Sequence, residues 1–439
     1  MASVNEQVAH VWRRLGFGPN QADMATGINL GPQALITNLL NRSLTTNSYW
    51  QLPAMNTWEE SVTFLNRLWT LMATSTNPLQ ERMAWSMMGT LVVAYTDTVH
   101  GPEMADHVKR LRGGCLGSYH ALLSSVVQST PMQLYLSNVF STAEHPNENL
   151  ARELCELFSL GVTHPKSGAK NYIEGDVKEI ARAITGYDFN WNTGQAFFDA
   201  DYWDAGNKTV FGVNRGAAKF TEVLEAVRTH PSFGYYVPRR IYRLLTGLEP
   251  NAATLDQLAA AWGANGDLKA LVSHIANRAE FLSDAAIRSR VKCPLELIIG
   301  AVRVLGLQSL DRFYFDWALT LMRQHPFEAP NVNGWPDGPA WLYAGQVMEW
   351  SGTINGLCFS DDGSASVPTA QRCPTVRQLF QQGSRTTGGD LALQLACLYD
   401  VSTETREALR DYANAGPWEI WRACGLMQLA LSCPEFLLN

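Results

Sequence analysis

Apolar side chains return every third or fourth residue along most of this 439-residue chain. That spacing gathers them on one face of an α-helix. Such stripes run over 8–15, 33–40, 58–72, 78–95, 120–127, 217–228, 236–245 and 252–262. They continue over 267–276, 295–304, 312–323, 390–398, 402–413 and 417–432. Strands do not alternate with these helices, which argues against a doubly wound sheet. The pattern predicts a mostly α fold, one large multi-helix domain, with 245–250 as the candidate point of any sub-division.

One stretch departs from the helical period. From Tyr187 to Phe211 the chain is crowded with aromatics, and Asn192-Thr193-Gly194 is a turn signal. This predicts a small β-hairpin or an ordered aromatic loop, inserted around 187–215. Such a loop either covers a site or plugs a core. Two further segments read as irregular. Residues 326–343 are dense in Pro, Gly and Asn, and 359–374 include the polar run Ser360-Asp-Asp-Gly-Ser-Ala-Ser, expected to be a surface loop.

Composition narrows the classes. Apolar residues make up 46% of the chain, enough for a sizeable core and too many for a disordered protein. A net charge of −7 leaves no basic footprint for nucleic acid or an anionic membrane surface. The first residues lack a basic stretch followed by an apolar one, so no secretion leader is read. The most apolar run, 295–307, carries Glu296 and Arg303 and is too short to span a bilayer. These features predict a soluble, cytoplasmic protein. None of the eight cysteines belongs to a Cys-x-x-Cys pair, so buried reduced thiols are expected.

Charged residues are only 17% of the chain, yet His145–Gly161 concentrates them on one helix. Asn147 is the expected N-cap of a helix beginning at Glu148. Leu150, Leu154, Leu157 and Phe158 form its apolar stripe, Glu148, Arg152 and Glu156 the opposite face. Asn149 and Glu153 fall on the border. A second helix near Asp176 has Val177, Ile180, Ala181 and Ile184 on its apolar side, and Gly186 reads as its C′ residue. Packed antiparallel, the pair would bring Glu153 or Glu156 near Asp176 or Glu179. Carboxylates on facing helices build metal sites in bundles, or an acid beside a base when like charges raise one pKa. The plainer reading is a Glu148–Arg152–Glu156 ladder worth roughly 0.2–0.5 kcal/mol per pair. No nucleophile elbow, nucleotide-phosphate loop or His-Glu-x-x-His occurs, so no nucleotide cofactor is expected.

Several stretches together resemble a large bacterial family known as a domain of unknown function, DUF1800. They are 9–19, 145–161, 176–186, 208–212, 291–296 and 330–336, in that order. The resemblance implies a mostly helical single domain, often exported, and no settled activity. Two departures stand out. Where the family pattern has Trp-His-Asn-His-Phe, this chain has Met87-Met-Gly-Thr-Leu91, and where it has His-Asp, this chain has Trp203-Asp204.

Two functional readings follow. In the first, the chain is an enzyme acting on a small substrate through Glu148, Arg152, Glu153, Glu156 and Lys208. Glu153, Asp176 and Asp204 would hold a divalent ion, while Asn149, Trp191, Phe198 and Trp203 would bind substrate and exclude water. An oxygen shell favours magnesium, manganese or calcium over zinc. In the second, the chain is a non-catalytic binding or partner subunit that keeps the family scaffold. The motif helix is then structural, with Glu153 paired to Arg182 or Arg152 and Asn149 bonded to backbone.

Overall fold

A computed structural model describes residues 2–45, 52–307, 312–359 and 373–439, without the side chains of 312–314. The polar run beginning at Ser360 lies outside the described residues. Among those described, 22 α-helices and two small two-stranded antiparallel sheets build a mostly α architecture. Among the described residues, no helix is long and apolar enough to cross a membrane.

Helix starts follow local chemistry. Ser3, Thr57, Ser118, Asn251, Asp267 and Ser402 each accept a backbone N–H of the first turn. Asn77-Pro78 and Cys293-Pro294 place proline at the first helical position, where its missing N–H is not needed. The 78–95 stripe gives a helix only over Pro78–Met88, because the chain turns at Gly89. Five helices of six or more residues lie outside the predicted stripes, among them Gly101–Gly114 and Ala344–Phe359.

The aromatic insertion is a hairpin. β1 (Tyr187–Asn190) pairs antiparallel with β2 (Gln195–Phe198), from Tyr187 opposite Phe198 to Asn190 opposite Gln195, and Gly194 takes a positive φ. A second, tighter hairpin joins β3 (Thr209–Val210) to β4 (Val213–Asn214). Its two loop residues, Phe211 and Gly212, both have positive φ (53° and 71°), as a type I′ turn requires.

At the centre lies the helix Pro294–Leu305, every residue of which is buried. Its two charges are satisfied inside the protein. Arg303 donates to Gly18 O (2.6 Å), Asp23 (2.6 Å) and Ala73 O. Glu296 accepts from Arg82, Arg290 and the Cys293 amide. The preceding residues run beside the C-terminus, with Lys292 N donating to Leu437 O and Asn439 N to Arg290 O. Arg14, fully buried on the first helix, donates to Ala286 O (2.9 Å), Ser289 (2.9 Å) and Asn439 O (3.0 Å). Both ends of the chain thus meet at this core. All eight cysteines are buried and free, as expected.

Near the C-terminus the helices Gly388–Leu395 and Thr403–Asn414 touch backbone to backbone at Gly389. A Cβ there would lie 2.7 Å from Arg410 N and 2.9 Å from Leu409 C. Gly389→Ala should therefore cost about 1–3 kcal/mol by overpacking, read as a lower urea midpoint at unchanged m-value.

Candidate functional site

The motif helix spans Asn149–Glu156, one residue later than expected, with Glu148 at its cap position. Asn147 still serves the turn, since its Oδ1 accepts the Asn149 amide at 2.9 Å. Leu150, Leu154 and Phe158 are fully buried, as the stripe predicts. The second helix spans Glu174–Ala183 and packs against the first. Its end differs in detail: Ile184 is the C-cap, so Gly186 lies one residue beyond C′ and donates to Ser141 O.

The polar face is tied across the two helices. Arg152 grips Glu174 through two bonds (2.9 and 2.6 Å) and holds Glu148 at 3.0 Å. Glu174 lies in direct reach of that guanidinium, which pulls its carboxyl down to about 2. The expected ladder stops there. Glu156 accepts instead from the Tyr172 hydroxyl at 3.0 Å. Among the described residues, Glu153 pairs with neither Arg152 nor Arg182, and Asn149 meets a neighbouring side chain through its backbone amide, which donates to Asn147. Half-burial, then the Glu156 charge, push the Glu153 carboxyl up against the pull of Arg152.

Asp176 is engaged by backbone. Its Oδ2 accepts the Ile173 amide (2.9 Å) and closes the helix start, while Oδ1 accepts the Phe211 amide (2.7 Å). The second bond holds the left-handed Phe211 of the tight hairpin against the helix. Asp204 accepts two bonds from Arg182 (2.7 and 3.2 Å) and one from the Gly206 amide (2.7 Å). Burial opposes ionisation of Asp204, but Arg182, the Gly206 amide and Lys208 together hold it below its ordinary value. Lys208 is fully buried, donates to Asp204 O and lies 4.7 Å from the Trp203 ring centre. Lys219 takes the same ring at 4.8 Å and Phe198 at 5.1 Å. Trp191 stands 75% exposed at the hairpin tip.

The expected oxygen shell is therefore not assembled. Asp176 is bonded to two backbone amides, Asp204 to a guanidinium and an amide, and Glu153 is bonded to neither aspartate. Among the described residues, no three His, Cys, Asp or Glu side chains are grouped to hold a metal ion.

Elsewhere the central helix borders a cavity of about 140 Å³. Its walls include Trp85, Thr90, Arg240, Arg290, Gln324 and Trp335. Trp85 and Trp335 stack at 5.3 Å, 24° apart. Arg290 is held by Asp337 (3.0 Å) and Glu296. Burial, then Glu296, pushes the Cys293 thiol in this wall up to about 12, so it is no thiolate nucleophile. Sequence reasoning missed this place because its walls come from five separated segments. A signal existed: 291–296 and 330–336 are family-like stretches, and Gly89 and Thr90 of the divergent 87–91 segment line it.

A family model described as a protein of unknown function (DUF1800) matches residues 10–438. The chain belongs to the DUF1800 family. No curated relative and no solved structure matches it. Within this DUF1800 chain, the motif segment and the cavity are thus two distinct places, one internally bonded and one open.

Two substitutions separate the roles in the motif. Asp176→Ala should cost about 1–3 kcal/mol, because it strands the Ile173 and Phe211 amides. Glu153→Gln should stabilise the protein at pH 7. A carboxyl raised on folding favours the fold when protonated, and that gain is lost as pH rises through its folded value. The advantage of Gln should therefore vanish below the ordinary carboxylate range, as unfolding curves at several pH values would report.

Proposed function

We propose that this chain is a non-catalytic, small-molecule-binding member of the DUF1800 family. One observation carries the reading: most charged groups of the motif are spent on one another or on backbone, while the central cavity keeps polar groups unspent. The cavity also borders the 87–91 segment, where the family pattern has histidines at the positions of Met88 and Thr90, and Thr90 lines it. Loss of reactive side chains with retention of the surrounding frame is what a binding role requires. Arg152 then orients Glu148 and Glu174 at the surface, and Asp176, between two amides, holds the tight hairpin against the second helix.

Glu153 supports a second reading. Its carboxyl is half-buried, raised and, among the described residues, without a hydrogen bond or ion pair, as a general acid would be. In that case the chain is an enzyme acting on a small substrate at the motif helix.

A small-molecule screen by melting temperature distinguishes the two, since a ligand of the folded state stabilises by mass action. The binding reading predicts stabilising compounds whose effect is lost in Arg240→Met and kept in Glu153→Gln. The opposite dependence would overturn it in favour of the motif helix.

A further inference from the structure

The cavity beside the central helix is lined by Arg240 and Arg290 against Glu296 and Asp337, and the excess of positive charge lies behind that wall. Three arginines converge behind it: Arg14 and Arg82 are fully buried and Arg290 is 6% exposed. Against them stand the buried Glu296, shared by Arg82 and Arg290, and the largely exposed Asp337. Formal charge in this group is three positive against two negative, one of the two screened by water. Arg240 adds a further cation at the wall, its Nη2 donating to Gly89 O at 2.9 Å.

Donors at the wall are left over as well. Arg290 Nε and Trp335 Nε1 are buried and find no hydrogen-bond acceptor among the described residues. Gln324, also in the lining, is 3% exposed and spends its Oε1 on the Leu295 amide at 2.9 Å, which leaves its amide nitrogen as a donor. Deeper in, Arg82 Nε and Nη2 are also without acceptors. Buried donors without acceptors destabilise the fold, and a buried cation in excess does so more, so an anion arriving here would relieve both. The rest of the wall is apolar, formed by the stacked Trp85 and Trp335 with Leu244 and Pro336. A cavity near 150 Å³ admits a body about the size of benzene.

We propose that this cavity, bounded by Trp85, Trp335, Arg240, Arg290 and Gln324, binds a small carboxylate carried on a flat apolar body. The carboxylate takes its bonds from Trp335 Nε1, Gln324 and the arginines, and the apolar body lies against the tryptophan pair. Phosphate, with more oxygens and no apolar part, matches neither the few free donors nor the tryptophan wall. This assignment rests on the binding reading above and names the ligand class it would take.

Calorimetric titration of the full chain at pH 7 and low salt, with benzoate, benzamide and inorganic phosphate, tests it. Benzoate should bind one to one, and benzamide, the neutral isostere, about tenfold more weakly or worse, as expected for lost charge-assisted bonds. Trp335→Phe keeps an aromatic wall and removes one donor, and Arg240→Met removes a cation at the rim. Each should weaken benzoate about fivefold or more with little change in melting temperature. Equal binding of benzamide would overturn the proposal, as would tighter binding of phosphate or unchanged affinity in both variants. Failure of all three probes would also overturn it. The binding reading itself would survive that failure if the screen yields neutral ligands lost in Arg240→Met, and would fall with it if the screen yields none.

Discussion

The fold turns on one carboxylate. Glu296 sits 3% exposed at the start of a helix buried on every side, with Arg82 and Arg290 on one oxygen and the Cys293 amide on the other. Burial alone would drive this carboxyl up, yet the two guanidinium groups hold it down at about 2. Such a group is expensive to desolvate and costs roughly 3–5 kcal/mol to strip of a partner, so it constrains everything around it. Arg82 brings the helix Pro78–Met88, Arg290 brings the strand-like segment beside the C-terminus, and Arg14 brings the first helix. Two anions cannot fully balance the arginines gathered here. The same constraint that closes the core therefore leaves an electropositive wall beside it.

Seen from this node, the motif at 145–161 plays a different part from the one its composition suggests. Its charges pair locally and at the edge of the protein. Arg152 and Glu174 are both well exposed, so their attraction is screened and adds little stability. Asp176 matters more, because two backbone amides depend on it and one belongs to a turn in the left-handed region. A dense acidic segment is thus compatible with joinery. It is the buried charges, fewer and more widely scattered in the chain, that shape a pocket.

The sequence made some of this legible and hid the rest for identifiable reasons. Amphipathic helices such as Ala252–Trp262 were readable to the residue, because one apolar stripe and an Asn251 cap mark them. The β1–β2 hairpin was readable from Asn192-Thr193-Gly194. Ala344–Phe359 was not, since apolar residues surround it and no period stands out. Gly101–Gly114 carries the buried polar residues His107 and Arg112 where apolar ones would be expected. In the motif, the apolar stripe was visible but the partners were not. Arg152 bonds Glu174, 22 residues on, and Asp176 bonds Phe211, 35 residues on. The cavity assembles Trp85, Arg240, Arg290, Gln324 and Trp335 from across the chain, a conjunction that no local spacing encodes.

The central claim is that the motif acids are structural and that ligand chemistry resides at the cavity. Its most direct test is the melting temperature of the purified protein titrated with magnesium, manganese and calcium. A cation bound at the motif would stabilise the fold by mass action. This account predicts no saturable rise with any of the three ions. A rise that saturates in the wild type and disappears in both Glu153→Gln and Asp204→Asn would contradict it.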